Sequence, residues 1–376
     1  MFEETPAGAL RAAILTAELE SGAAAVERLD RLEARDDFPD ELAPTVGALR
    51  TLYRGAGPDA LTPDERDALR DEQGWFADLA LGYALDDDDP ARAGALGAAR
   101  RTAFTFFGVL ALAGLGGVLG LALAVMFAVQ FARRRIVAAY APPEPGGSVY
   151  IEAFAVFLAG LLGVSLLAAA INSATGADIT PVLLWLLLLA AFYPLARGVP
   201  WAKHKHAIGW TRGKGVVRES FAGVAAYLAG LPIVALGLLG TLLLSAAISW
   251  IRSQMGADQG PPMQHPIIDR LGLGGWTIVS MFLLATVWAP LVEETMFRGA
   301  LYHHMRGRMG PLVSAVLVGF VFAAVHPQGI AAIPALMSLA VVFALMREWR
   351  GSVIAPVVAH ALHNATLVTA MVLALG

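Results

Sequence analysis

From Thr102 to the end, the chain is a succession of apolar runs of about 16–30 residues, against the roughly 20 needed to cross a bilayer core. A backbone in lipid must satisfy its own hydrogen bonds, so such runs fold as helices. The pattern predicts an all-α fold: a multi-pass transmembrane helical bundle with about eight spans. They fall near 102–131, 149–171, 181–196, 220–249, 276–303, 311–326, 330–346 and 353–375. The runs at 311–326 and 330–346 are short, and Pro327 and Pro334 disturb the turn between them; short or broken helices are tolerated where they line a cavity. Composition agrees, with 57% hydrophobic residues, a mean hydropathy of +0.62 and only 15% charged residues. A cell-membrane location follows, with lipid as the surrounding partner.

Residues 1–98 are different. They hold most of the acids and predict a soluble acidic helical domain, with helices near 6–34, 43–54 and 63–84. Thr5-Pro6 and Thr62-Pro63-Asp64-Glu65 are helix starts, the second a capping box. Ile14, Leu19, Val26, Leu29 and Leu32 have helical spacing and are expected to meet Leu69, Trp75, Phe76, Leu79 and Leu81 in a small bundle. The acidic start lacks the basic and apolar regions of a cleaved signal. The run Asp86 to Asp89 before Pro90 reads as a solvated linker. The rest divides into N-terminal transmembrane helices over 99–275 and a C-terminal core over 276–376.

Basic residues cluster in alternate loops: Arg133 to Arg135; Arg197, Lys203, Lys205, Arg212, Lys214 and Arg218; Arg306 and Arg308; Arg347 and Arg350. The positive-inside rule puts these loops on one side, the cytoplasmic one. With eight spans, both termini then lie outside; Arg92, Arg100 and Arg101 flank the first span and favour the other side for the N-terminal domain if the count differs by one. Lys203-His204-Lys205-His206 reads as a surface that meets anionic headgroups. A net charge of −4 and the lack of an aromatic-basic strip exclude a nucleic-acid partner. With no cysteine, any nucleophile is Ser, Thr, a carboxylate or water, and Ser280 and Ser314 have no base in sequence register.

Against this apolar background stand Glu293 and Glu294, side by side in an otherwise lipid-compatible stretch. Intramembrane acids are costly and mark functional sites. Glu294 and Arg298 are four apart, the spacing of a helical ion pair, whereas Glu293 points about 100° away and has no partner in its own helix. One acid is therefore expected to be structural and the other available as a general base or acid. His326, His360 and Asn364 repeat the anomaly downstream. With ~1.5 Å of rise per residue, Glu293 lies ~22 Å and His326 ~27 Å from the turn near Arg308, while His360 lies ~13 Å and Asn364 ~19 Å from the turn near Gly351. All four fall within a few helical turns of one level.

These residues resemble the CPBP intramembrane proteases, which include the type II CAAX prenyl endopeptidases. The family pattern appears as Glu293-Glu294-Thr295-Met296-Phe297-Arg298, Phe322-Ala323-Ala324-Val325-His326 and His360-Ala361-Leu362-His363-Asn364, followed across residues 276–370. The resemblance implies hydrolysis of a peptide bond in a membrane-associated protein or peptide substrate. It assigns water activation to Glu293 and His326, oxyanion stabilisation to His360 and Asn364, and support to Glu294 and Arg298. The family is often named as metalloproteases, and Glu293, His326 and His360 are an acceptable catalytic zinc set. No His-Glu-x-x-His helix is present, and a glutamate acting directly on water explains the same residues, so a divalent metal cofactor stays open. Two rivals share these features: a non-catalytic immunity or scaffold protein of the same fold, and an ion-coupled transporter.

Overall fold

A computed structural model describes residues 6–35, 38–83, 85–256 and 275–375. Among them there is no strand, and the chain divides into two compact units, residues 1–108 and 109–376. Thr5 and residues 257–274 lie outside the described residues.

The first unit packs α1 (Pro6–Leu19), α2 (Gly22–Glu33), α3 (Ala43–Thr51), α4 (Pro63–Gln73) and α5 (Trp75–Leu81) around Leu10, Ile14, Leu29, Leu49, Leu52 and Leu69. The helix expected over 6–34 is broken after Leu19. Ser21 caps α2 by accepting from the Ala24 N–H. Gly22 fits so closely that a Cβ there would lie 2.5 Å from the Tyr53 carbonyl oxygen. Leu19, expected in the core, is exposed because α1 ends on it. The helix expected over 63–84 is likewise split at Gly74, which takes φ +58°. The Asp86 to Asp89 run serves the next helix: Asp89 accepts from the Ala91 N–H, and Asp87 pairs with Arg92, which also reaches Glu18.

The second unit contains the membrane helices. The 43-residue α6 (Pro90–Ala132) starts in the first unit; then come α7 (Val149–Thr175), the short α8 (Thr180–Ala196) and α9 (Trp201–Ala207), α10 (Val216–Gln254), α11 (Ile278–Arg306), α12 (Pro311–Ala324), α13 (Ile330–Arg350) and α14 (Ile354–Leu375). Six of these helices are long and apolar enough to cross a membrane, and α8 and α12 are shorter apolar helices. Each of the eight expected runs is thus helical, two of them at less than full spanning length.

The four basic loops meet at one end of this unit. Ala139 N–H donates to the Trp349 carbonyl, Arg308 to Gly147, and Arg347 to Ala207. Arg350 grips Glu219, in the first turn of α10, through two hydrogen bonds of 2.7 and 2.8 Å. The segment around Lys203 to His206 is only partly the expected surface: His204 is fully buried beside Tyr150, Trp201 and Trp210, and burial lowers its pKa. The interior of the bundle is closed by α10, where glycines recur every seventh residue. A Cβ at Gly223 would lie 2.4 Å from the Ala355 carbonyl oxygen, and at Gly230 2.5 Å from Val342. Only such small residues let α13 and α14 approach α10 closely, the usual substitute in lipid for a hydrophobic drive between helices.

Candidate active site

Pro290 sets the local shape of α11. It lacks an N–H and would clash with the preceding turn, so the helix relaxes to wider i→i+5 winding over Leu284–Trp288, with the Ala289 N–H reaching back to the Leu284 carbonyl. Continued one residue on, that winding would give the Ala285 carbonyl to Pro290, which cannot donate. Asn364 of α14 fills the place: its Nδ2 donates to the Ala285 oxygen at 2.7 Å. A second wide stretch spans Glu294–Leu301.

The two acids face different neighbours. Glu294 and Arg298 are both fully buried and hydrogen-bonded at 2.9 Å. Arg298 also donates to the Ala340 carbonyl of α13 at 3.1 Å, and its guanidinium lies over the rings of Phe322 and Phe343, 4.8 and 5.2 Å from their centroids. The same Glu294 oxygen stands 2.8 Å from His360 Nδ1. Glu293, in contrast, makes no hydrogen bond through its buried Oε2. That atom lies 3.9 Å from His326 Nε2 and 4.0 Å from His360 Nε2.

Hydrogen-bond partners fix the imidazoles. His326 Nδ1 lies 2.6 Å from the Phe322 carbonyl oxygen, which can only accept, so Nδ1 carries a proton, and in the neutral ring Nε2 turns a lone pair toward Glu293. Beside an ionised Glu294 the His360 Nδ1 is likewise the donor. His360 is stacked on Phe343 (ring centroids 5.2 Å apart), and Phe322 touches both histidine rings. Three of the four expected residues, Glu293, His326 and His360, thus converge around one carboxylate oxygen. Asn364 sits one helical turn beyond His360, engaged with α11. His363 turns away and pairs with Tyr227 of α10 at 3.0 Å. Phe343 and the Ala285 carbonyl carried no signal as site elements in the sequence; Pro290, in the middle of an apolar helix, was the available clue to the second.

A tetrahedral zinc with bonds of roughly 2.0–2.1 Å brings its ligand atoms to about 3.3–3.4 Å from one another. The Glu293–histidine separations exceed that, and no group of three His, Asp or Glu among the described residues stands in metal-binding geometry. As placed, these donors do not fit zinc. They do suit a small hydrogen-bonding molecule, since a gap of just under 4 Å is bridged by two bonds of about 2.8 Å.

Residues 275–366 match the family model described as type II CAAX prenyl endopeptidase Rce1-like. Searches of curated proteins and of solved structures gave no match. The matched family is one of proteases and of membrane proteins. Its span takes in α11 to α14 and every residue of the constellation above. The long apolar helices and this match together make the chain a multi-pass membrane protein whose residues 275–366 are similar to the Rce1-like type II CAAX prenyl endopeptidases.

Proposed function

We propose that the protein is an intramembrane endopeptidase that hydrolyses a peptide bond of a membrane-associated protein or peptide through a water activated by Glu293 and His326. The observation that carries this reading is the Glu293 Oε2 atom, buried, without a hydrogen bond and within 4.0 Å of two imidazole nitrogens. A buried polar atom with no partner is costly and calls for an explanation, and beside two imidazole nitrogens a bridging water supplies one. A water donating one hydrogen to Glu293 and the other to His326 Nε2 is held with its oxygen lone pair free. As its oxygen bonds to the substrate carbonyl carbon, its proton passes to Glu293 and the carbonyl electron pair becomes an oxyanion. Collapse of that intermediate breaks the C–N bond, and Glu293 returns the proton to the leaving amine.

Glu294 supports the other half. With Nδ1 donating to Glu294, His360 presents an N–H at Nε2 only as imidazolium, and the carboxylate stabilises that charge as the acid of a catalytic triad does. The imidazolium Nε2–H and the Asn364 N–H not bound to Ala285 are the two oxyanion donors, a contribution worth roughly 10²–10³ in rate for each donor. The charges of Glu293, Glu294, Arg298 and His360 then cancel, as a buried cluster requires. The route uses no metal.

The test compares new protein termini in membranes of cells carrying the intact protein, Glu293→Gln and His326→Ala at matched abundance. Products present with the intact protein and absent with both variants are expected, in line with the ~10²–10⁴-fold worth of a general base. Identical termini in all three, under conditions where the protein has a phenotype, would refute the peptidase reading in favour of a scaffold or transporter.

A further inference from the structure

The second unit carries a second recess, unrelated to the acids. The helix α6 touches α10 closely at one crossing, where a Cβ on Gly120 would lie 2.4 Å from the Leu228 carbonyl oxygen. Beyond that crossing α6 diverges, and a groove of about 730 Å³ opens between its last turns and helices α10 and α13. Phe127 and Phe131 form one wall, Gly230 and Ile233 another, and Met346 and Trp349 a third; Phe127 meets Trp349 edge to face with centroids 5.0 Å apart. The volume is that of a ligand pocket.

The mouth of the groove is charged. Between Phe131 and Ile136, both of which line it, stand Arg133, Arg134 and Arg135, all exposed and none in an ion pair or side-chain hydrogen bond among the described residues. This contrasts with Arg306, Arg347 and Arg350 at the same end of the bundle, which are each bound to protein oxygens. Arg134 is also the single non-glycine among the described residues with positive φ, +56°, a conformation that costs an ordinary residue free energy and turns the chain sharply where the three guanidinium groups sit. The one acid in the lining, Glu348, is neutralised by Arg306, so a largely apolar cleft closed at one end by unpaired cations is complementary to a molecule with an acyl chain and an anionic head.

We infer that this groove is a binding site for an anionic membrane phospholipid, with an acyl chain between α6 and the α10/α13 pair and the phosphate against Arg133–Arg135. The occupant is a lipid of the bilayer and not the tail of a substrate. The groove is walled by the Val342, Leu345, Met346 and Trp349 side of α13, whereas Ala340 and Phe343 on its other side meet Arg298 and His360. A chain lying in the groove therefore has α13 between itself and Glu293.

The experiment is native mass spectrometry of the full-length protein in detergent, titrated with dioleoylphosphatidylglycerol or dioleoylphosphatidylcholine. Each arginine at an anionic surface is worth roughly fivefold in affinity, so the phosphatidylglycerol preference should reach at least about tenfold. Replacing Arg133, Arg134 and Arg135 together by Gln should bring the two lipids within about twofold of each other, by the same arithmetic. Ala128→Trp, which fills the groove from an exposed position on α6, should weaken both. Both variants should keep the elution profile and melting temperature of the intact protein. Equal binding of the two lipids, a preference that survives the triple substitution, or indifference to Ala128→Trp would overturn the assignment. So would displacement of the phosphatidylglycerol by an acylated peptide, which would make the groove a substrate-tail site.

Discussion

At their extremes the two units hold the same kind of ion pair under opposite conditions, although Arg92 with Glu18 in the first is also largely buried. In the first, Arg50 lies 2.8 and 2.6 Å from Asp30 and Glu33, whose carboxylates are 57% and 42% exposed. In the second, Arg298 and Glu294 are wholly buried, and Arg306 with Glu348 and Arg350 with Glu219 are nearly so. Water screens the first kind of pair, which contributes ~1 kcal/mol or less. The second kind has lost its hydration and is held by several partners at once: Arg298 takes a carboxylate, a carbonyl and two aromatic faces, although its Nε and the second Glu294 oxygen make no hydrogen bond. What sets the bare Glu293 Oε2 apart from the other unpaired buried atoms is its place beside two imidazole nitrogens. Had it belonged to the first unit, it would be one more solvated acid.

The comparison can be broken most forcefully at Arg298. Arg298→Ala should strand Glu294 in the interior and cost about 3–5 kcal/mol, read as loss of folded protein in denaturation of the purified chain. Adding Glu294→Gln should recover part of that loss; no recovery would mean that packing, and not charge, dominates. Next in size is Gly223→Ala, where the new methyl would drive α10 away from α14. It should cost about 1–3 kcal/mol, with a lowered melting temperature, as overpacking does elsewhere.

The first unit should respond weakly. Thr62→Ala removes the capping box of α4 and should cost about 1 kcal/mol, seen as faster amide exchange over Pro63–Gln73. The Thr62 N–H and hydroxyl also hold the Glu65 carboxyl below its usual pKa. A depressed carboxylate stabilises the fold above its unfolded pKa, so this support should fade as the pH falls through the acidic range, and Thr62→Ala, which removes the hydroxyl but keeps the N–H, should weaken that dependence without abolishing it. Smallest is Gly47→Ala within α3, where a Cβ meets nothing within 4 Å: a gain of roughly 0.4–1 kcal/mol is expected. Destabilisation there would show that the spacious packing of the first unit does not hold in solution.

Much of the fold was legible along the chain. Hydropathy located all eight apolar helices, and the loop charges foretold that four loops share one end of the bundle. The breaks at Ser21 and Gly74 were harder to see, because Gly22 is selected by its closeness to Tyr53 and Gly74 by a backbone angle. The burial of His204 inside a basic loop was invisible for a related reason: its neighbours Tyr150 and Trp210 come from separate segments.

The candidate site divides along the same line. Helical spacing was enough to pair Glu294 with Arg298 and leave Glu293 free, since both facts depend on residues within one turn. Motif order and depth brought His326 and His360 to the same level. No local pattern specified that His360 would bridge the two acids, or that Asn364 would reach the carbonyl facing Pro290. These contacts join positions 66 and 79 residues apart, and they exist because the glycines of α10 let α14 come close and because Pro290 opens α11. Covalent spacing decides which groups can share a helix face; only the packing of separate helices decides which lone pair each of them turns toward the next.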